Sequence, residues 1–296
     1  NTASFVMGND PLINDSLETV SYTDGSLTSD DVDTTEWALS VGALFRLTDR
    51  MNIFGNVSRG YFFPQIRSIP FDDFGNLASY EGEIILQGEA GVKYRADNFD
   101  FTATLFYTEL EDRRNVDFVN DPNNPGGVIE VTALQSTEAV GLEASGSWYI
   151  GDFWTLFGNI TLRDHEFTKV EGNPDQVGNE LRRQPTEMAN LGVRFRLAGF
   201  DAALMGHYHG SNFANDGNTV ELDSYTLWRL DAGYTFELDG GDAIRISAQV
   251  FNLTDEEGLQ EGSPRQGSSQ VGEPAQFFIG RPILPQRVQL RITYDF

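Results

Sequence analysis

Two histidines separated by a single residue, His207 and His209, are the strongest candidates for chemistry in this sequence. In an extended strand the side chains at i and i+2 point to the same face, and two neighbouring imidazoles can bind a metal ion. The alternative is that both are ordinary polar residues of a hydrophilic face, as we also expect for His165. We favour that second interpretation, so we predict no resident metal ion and no cofactor.

The sequence contains few residues in a pattern that indicates nucleophilic catalysis. Cysteine is absent, which excludes a thiol nucleophile, a disulfide framework and a zinc-thiolate site. Ser145 and Ser147 share one face of a predicted strand, but the Gly-x-Ser-x-Gly turn of serine hydrolases does not occur. We therefore expect that the protein is not an enzyme, and we keep a membrane-embedded Ser/His/acid hydrolase as an alternative.

The charge balance is strongly acidic, with 20 Lys plus Arg against 45 Asp plus Glu and a net charge of −25. Phosphate binding requires a basic surface, so we expect no nucleic-acid partner. Two acidic stretches, residues 30–33 and 120–124, contain oxygen ligands suitable for calcium. Neither has EF-hand spacing with a terminal Glu, so a solvated acidic surface is the preferred interpretation.

Two further stretches, residues 62–74 and 265–281, combine arginine with aromatic residues. Loops of this composition can line a site for a small molecule, although packing of the loops against one another fits the composition equally well. The candidate ligand-contacting residues are Arg59, Tyr61, Phe62, Arg67, Phe71, Phe74, His207, His209, Phe277 and Phe278.

The elements that must position these residues are strands, as the last eleven residues illustrate. From Gln286 to Phe296, apolar side chains such as Leu290 and Ile292 alternate with polar ones such as Arg287 and Arg291. A period of two places the two sets on opposite faces of one strand. A soluble sandwich would bury the apolar face, whereas a membrane barrel would turn it towards lipid.

The same pattern recurs in about twelve strands of ten to fifteen residues. Their connections alternate between very short turns and loops of roughly ten to thirty residues, which is typical of outer-membrane barrels and not of sandwiches. No apolar run is long enough for a transmembrane helix, and all four tryptophans lie near strand ends, as in interfacial aromatic belts. The predicted long loops are residues 9–33, 62–82, 115–131, 169–185, 211–223 and 254–285.

Arginines recur on the predicted polar faces, which would line the inside of such a barrel. We expect most of them to pair with carboxylates such as Glu89, Glu143 and Asp231 and to be structural. They are Arg59, Arg163, Arg194, Arg196, Arg229, Arg245, Arg287 and Arg291.

Several segments, taken in order, resemble the C-terminal half of a TonB-dependent outer-membrane receptor barrel. They include Met51–Pro64, Glu89–Tyr94, Tyr225–Tyr234, Val250–Asp255 and Arg291–Phe296. The resemblance implies a barrel of about 22 strands with short periplasmic turns, long extracellular loops and an N-terminal plug. It also implies uptake of a scarce nutrient such as a ferric siderophore in the outer membrane of a Gram-negative bacterium.

The resemblance also implies the partners. They are outer-membrane lipid and lipopolysaccharide, the small-molecule ligand, TonB acting through a plug, and the outer-membrane assembly machinery. The C-terminal aromatics Tyr294 and Phe296 resemble the signal by which that machinery recognises its substrates.

The departure from the family is that the whole chain, residues 1–296, is interpreted as barrel domain without a plug. A piece of about twelve strands would leave two unpaired sheet edges in lipid. We therefore expect that an N-terminal half is missing. A self-contained diffusion channel of about twelve strands is the alternative.

Overall fold

The computed structural model describes residues 2–6, 19–23, 35–63, 82–120, 128–264 and 278–296. The chain divides into two compact units. In the smaller unit, β1 (Thr2–Val6) and β2 (Thr19–Thr23) form an antiparallel hairpin. The prediction of an uninterrupted loop over residues 9–33 is therefore wrong at β2.

The larger unit contains one antiparallel sheet of eleven strands. The expected antiparallel up-and-down arrangement is confirmed, because each strand pairs with the next along the chain. The sheet has eleven strands, in agreement with the prediction of about twelve, which also counted β1; that strand pairs with β2. The strands are β3 (Leu39–Thr48), β4 (Met51–Phe62), β5 (Glu83–Arg95), β6 (Phe99–Asn120), β7 (Val128–Ile150), β8 (Trp154–Val170), β9 (Glu187–Leu197), β10 (Phe200–His209), β13 (Tyr225–Glu237), β14 (Ala243–Phe251) and β17 (Arg287–Asp295).

Two small hairpins occupy the long connections between these strands. β11 (Asn212–Phe213) pairs with β12 (Glu221–Leu222) between β10 and β13, and β15 (Leu259–Pro264) pairs with β16 (Phe278–Pro282) between β14 and β17. The helical content of the described residues is one 3-10 turn, Pro174–Gln176. No helix in the described part of the chain has the length and hydropathy needed to cross a bilayer.

The apolar face of the large sheet is exposed. Val57 is 68% exposed, Leu105 63%, and Leu290 and Ile292 74% each. In a sandwich these side chains would pack against a second sheet, and the described residues provide none. An apolar surface of this extent requires an apolar surrounding, so the exposure favours the membrane barrel over the sandwich.

The ends of the sheet differ as predicted. Tight turns connect β3–β4, β5–β6, β7–β8, β9–β10 and β13–β14 at one end, and the long connections lie at the other. Aromatic side chains on the apolar face cluster next to the tight turns. The ring of Phe195 lies 4.6 Å from that of Trp154 and 6.1 Å from that of Phe200. Such a belt is typical of a membrane–water interface.

The hairpin of β6 and β7 is longer than predicted. Most of the predicted loop 115–131 is strand, because β6 continues to Asn120 and β7 begins at Val128. The two strands shift register between Leu110 and Arg113. The misprediction came from the turn formers at residues 120–127, which outweighed the β-branched residues on either side.

The described strands do not close into a barrel, because β3 and β17 each pair on one side only. Eleven is an odd number, so these two edge strands run in the same direction. Antiparallel closure therefore requires an odd number of additional strands between them. A self-contained channel of about twelve strands would need one further strand between β3 and β17, and none of the described strands outside this sheet pairs with either edge.

Three phenylalanines on the polar face lie across glycines of the neighbouring strand. In the register, Phe54 is opposite Gly91, Phe106 opposite Gly141, and Phe157 opposite Gly192. A Cβ added at Gly141 would lie 2.5 Å from both the Phe106 ring and the carbonyl oxygen of Leu162. These pairs fill the surface above each glycine with an aromatic ring, a known way to stabilise glycine in a sheet.

We predict that Gly141→Ala destabilises the sheet by about 1–3 kcal/mol, as expected for overpacking. The added methyl group meets a backbone atom that cannot move independently. Gly88→Ala is the matched control, since a Cβ there meets nothing within 4 Å. The measurement is thermal unfolding in detergent, followed by circular dichroism. Equal melting temperatures for the two variants would contradict the close packing at Gly141.

Candidate functional site

Three long connections pack together at the loop end of the sheet, and we call this assembly the loop cap. It consists of residues 171–186, residues 210–224 and the described parts of 252–286. With the adjoining strand ends it buries Phe167, Ala214, Leu222, Tyr225 and Ile283 to 9% exposure or less. The residues buried by this loop-to-loop packing belong to neither of the predicted stretches 62–74 and 265–281, most of which lie outside the described residues.

Side-chain amides join the first two connections. Asn218 Nδ2 donates to the carbonyl oxygen of Glu180 at 2.9 Å, and Asn218 Oδ1 accepts from the Glu180 amide at 2.7 Å. Asn179 Nδ2 donates to the carbonyl oxygen of Asp216 at 2.9 Å. Asn218 has a φ of 51°, a conformation that asparagine tolerates better than most residues. The two connections are therefore held at fixed positions relative to each other.

Arg183 connects the cap to the third connection. Its backbone amide donates to the carbonyl oxygen of Phe213, and its Nε donates to that of Gly262. Its Nη1 lies 3.2 Å from Glu261, which also pairs with Arg281 at 3.3 Å. One arginine therefore touches both of the other connections.

His165 supports the cap from below and is 2% exposed. Its Nε2 donates to the carbonyl oxygen of Gln184 at 2.9 Å, and its Nδ1 accepts from the Leu181 amide at 3.2 Å. Both ring nitrogens are used by the neutral form. Burial, together with the charge of Arg163, lowers the pKa of His165 below its ordinary value. The sequence suggested an ordinary polar residue, whereas the structure places a structural histidine here.

Below the cap, the polar face forms a cavity of about 490 Å³. Its lining combines the rings of Phe157 and Phe251 with the polar groups of His207, Arg229 and Arg287. The lining of this cavity is more apolar than polar, and concave apolar surfaces with a few polar groups are typical ligand sites.

Two guanidinium groups approach the Phe251 ring, Arg229 at 4.9 Å and Arg287 at 5.3 Å. Arg229 also pairs with Asp231 at 2.8 Å. Arg287 forms no ion pair with any described carboxylate. The cavity therefore presents a cation that a bound anion can neutralise.

The cavity wall continues along a polar row that crosses three strands. Asn159, Asn190 and His207 are direct neighbours in the ladders β8–β9 and β9–β10. Asn190 Nδ2 donates to Asn159 Oδ1 at 2.9 Å, and His207 Nδ1 lies 2.8 Å from Asn190 Oδ1. This row fixes the position of the His207 ring.

The predicted ligand-contacting residues do not gather at one place. His207 lines the cavity and His209 lies beside it, but Tyr61 and Phe62 belong to β4, at the opposite side of the sheet. Phe278 lies in β16, and only its backbone is described. Outside the described residues lie Arg67, Phe71, Phe74 and Phe277.

The prediction that Arg59 lies on the polar face is wrong. The register places it opposite Leu39 and Leu86, on the apolar face at the loop end. There it pairs with Glu36 at 2.9 Å and covers the ring of Trp37 at 4.3 Å. The aliphatic part of an arginine can lie on an apolar surface while its guanidinium group is paired at the rim. The alternation of polar and apolar residues does not predict this arrangement.

The cavity residues that sequence reasoning missed are Phe157, Phe251, Arg229 and Arg287. The two arginines had been assigned structural roles. Their parity placed them correctly on the polar face, but nothing in the sequence indicated that they flank the same aromatic ring.

The residues of the expected assembly signal lie at the tight-turn end of the sheet, where Tyr294 and Phe296 stack at 6.1 Å and the Tyr294 hydroxyl donates to Asp242.

We predict that Asn218→Gly loosens the cap while still allowing the positive φ. Two hydrogen bonds to Glu180 are lost, so amide exchange of Glu180 and Leu181 should accelerate by about one order of magnitude, which corresponds to ~1.4 kcal/mol. Asn173→Gly is the control, because the Asn173 side chain forms no capping hydrogen bond. Hydrogen–deuterium exchange is the measurement, and unchanged protection in Asn218→Gly would contradict the prediction.

We also predict that the cap loses stability as the pH falls. His165 lies beyond Leu162, the last β8 residue paired with β9, and so outside the section that crosses the apolar phase. Because its folded pKa is lowered, the unfolded chain binds the proton first. The stability is therefore complete above about pH 6.5, the ordinary value, and is lost as the pH falls through that value towards the folded pKa.

The measurement is amide exchange of Leu181 and its neighbours above and below that pH. His165→Gln preserves one donor and one acceptor but does not titrate, so it should remove part of the pH dependence. The carboxylates of the cap contribute equally to both proteins. An identical pH profile for the variant would show that His165 does not control the effect.

Comparison with known proteins agrees with this architecture. The family model described as TonB dependent receptor-like, beta-barrel matches residues 14–253. The vitamin B12 transporter BtuB of Photobacterium profundum is 20% identical over 238 residues, which are 79% of this chain and 37% of that protein. The ferrichrome outer membrane transporter/phage receptor of Escherichia coli is 25% identical over 58% of this chain and 22% of its own length.

Among solved structures, the ferric yersiniabactin uptake receptor FyuA of Yersinia pestis superimposes with a TM-score of 0.66 at 19% identity. The match covers 88% of this chain and 37% of that receptor. This chain thus spans well under half the length of the proteins it matches. Since the family model covers most of the chain, the protein belongs to the TonB-dependent receptor β-barrel family.

Proposed function

We propose that this chain forms part of the wall and the extracellular cap of an outer-membrane receptor in a Gram-negative bacterium. The receptor takes up a ferric siderophore with energy relayed through TonB. No bond is made or broken in this process. The loops capture the ligand, and the ligand then passes along the polar face.

The observation that carries the proposal is the cavity between the two arginines. Its volume of about 490 Å³ lies within the range of small-molecule sites. Arg287 is free of carboxylate partners in the described structure and lies beside Phe251. A cation next to an aromatic ring is complementary to an anionic ligand with planar groups, and many ferric chelates have this character. For this reason we favour an iron chelate over the cargo of the vitamin B12 relative.

The remaining partners follow from the two faces of the sheet. We propose that the exposed apolar face contacts outer-membrane lipid and lipopolysaccharide. The polar face then surrounds a plug through which TonB acts, contributed by sequence other than residues 1–296. Tyr294 and Phe296, at the end of β17, are proposed as the signal read by the outer-membrane assembly machinery.

Neither alternative function gains a specific observation. A diffusion channel and a receptor both require a closed barrel, so the two unpaired edges of the described sheet do not favour the channel. For the hydrolase, Ser145 has Thr102 and Asn159 as its register neighbours, and Ser147 has Asp100 and Phe157. Neither serine has a histidine beside it in these ladders.

We predict that Arg287→Ala weakens the binding of an anionic ferric catecholate by about one to two orders of magnitude. Hydrogen bonds to charged groups contribute about 1.5–3 kcal/mol, and every 1.4 kcal/mol is about tenfold in affinity. Binding of a neutral ferric hydroxamate should change little. The measurement is titration of the intact purified receptor with each ferric siderophore.

Arg50→Ala is the matched control, because Arg50 lies in a tight turn at the opposite end and pairs with Asp97. Radioactive iron uptake in cells with and without TonB completes the test. Equal affinity of both variants for the catecholate would contradict the assignment of the cavity. Uptake that persists without TonB would contradict the energy coupling.

A further inference from the structure

We propose that His207, His209 and Met188 form a binding site for a cuprous ion on the polar face, beside the cavity. Two of the three histidines and one of the four methionines of the chain meet there. The proposal is independent of iron uptake, since it concerns a bare metal ion and different ligand atoms.

The ring of His209 is fixed with one nitrogen available. Its Nδ1 lies 3.0 Å from the carbonyl oxygen of Gly210, which can only accept, so Nδ1 carries the proton. The ring stacks on Tyr225 at 4.9 Å with an interplanar angle of 8°. Nε2 is therefore the unprotonated nitrogen, and it forms no hydrogen bond within the described structure.

The ring of His207 is fixed in the same way. Asn190 donates through Nδ2 to Asn159, so its Oδ1 is the acceptor facing His207 Nδ1 at 2.8 Å. His207 Nε2 likewise forms no hydrogen bond to a described residue. Histidines that bind metals usually donate their other ring N–H to an oxygen, which fixes the tautomer and orients the ring. Both histidines already satisfy that condition.

Met188 supplies a third ligand from the neighbouring strand. It is the register partner of His209 in the β9–β10 ladder, and side chains directly opposite each other are about 4.5–5.5 Å apart at Cβ. The ring centres of His207 and His209 are 6.4 Å apart. Because metal–imidazole bonds are about 2.0 Å long, this separation is near the largest at which one ion can bridge the two rings, in a nearly linear nitrogen–metal–nitrogen arrangement.

The ligand types select the metal. No group of three or more His, Cys, Asp or Glu suited to a metal ion occurs among the described residues, so hard cations that need several oxygens are disfavoured here. Imidazole suits zinc, copper, iron and nickel, whereas a thioether prefers soft cuprous copper. Two imidazoles with one thioether therefore favour Cu(I) over Zn(II).

The test is titration of the intact purified protein with Cu(I) under anaerobic reducing conditions, in competition with a colorimetric Cu(I) chelator. We expect one Cu(I) per chain, displaced poorly by Zn(II), and a copper–sulfur contribution in X-ray absorption. His207→Leu and His209→Leu should each abolish this binding. Asn190→Ala should weaken it about tenfold, because residues that orient metal ligands typically contribute that much.

Met188→Leu preserves volume and should fold, but it should weaken Cu(I) binding and remove the sulfur contribution. Met51→Leu, at the first residue of β4 next to a tight turn, is the matched control and should bind normally. Heat-modifiable gel mobility verifies the fold of every variant. The proposal is overturned if Zn(II) binds as tightly as Cu(I), if Met188→Leu behaves like Met51→Leu, or if folded histidine variants still bind copper.

Discussion

The structure depends on the pairing of backbone hydrogen bonds across the antiparallel sheet. In an apolar phase an unpaired amide or carbonyl group costs several kcal/mol, so a membrane-crossing strand must be paired on both sides. The nine inner strands of the large sheet meet this requirement, and β3 and β17 meet it on one side only. Because the two edge strands run in the same direction, an odd number of further strands is needed to close the sheet between them.

The same ladder positions the side chains of the candidate sites. Each crossing strand contributes alternate residues to the polar face, so His207 becomes a neighbour of Asn190 and Asn190 a neighbour of Asn159 without any loop being involved. The rings of Phe54, Phe106 and Phe157 cover glycines on that face. The cavity forms where this rigid wall meets the loop cap, and the wall supplies both arginines that flank Phe251.

The repetitive part of the fold could be predicted from the sequence, and the irregular part could not. A period of two is a local signal, so alternation predicted the strands, their faces and the sorting of loops by length. The contacts of Asn218 with Glu180 and of Arg183 with Gly262 join residues 38 and 79 positions apart. In each of these contacts a side chain binds a backbone atom. Since every residue has the same backbone atoms, the sequence does not indicate which residue will be the partner. Arg59 illustrates a different error. Its polarity predicted that it lies on the polar face of β4, but the register of the sheet places it on the apolar face.

The positions of the register shifts show which part of each strand needs a fixed pairing register and which part tolerates irregular pairing. The sheet shifts register near the tight turn at Arg46, at Leu110 and at Ser136, and none of the described ladders shifts in the middle of its crossing section. A slip of one residue there would exchange the lipid-facing and interior-facing side chains of a whole strand. Above that section a bulge costs little, because the backbone reaches water or other loops. The loop end can therefore change its shape while the alternation of lipid-facing and interior-facing side chains along each strand stays intact.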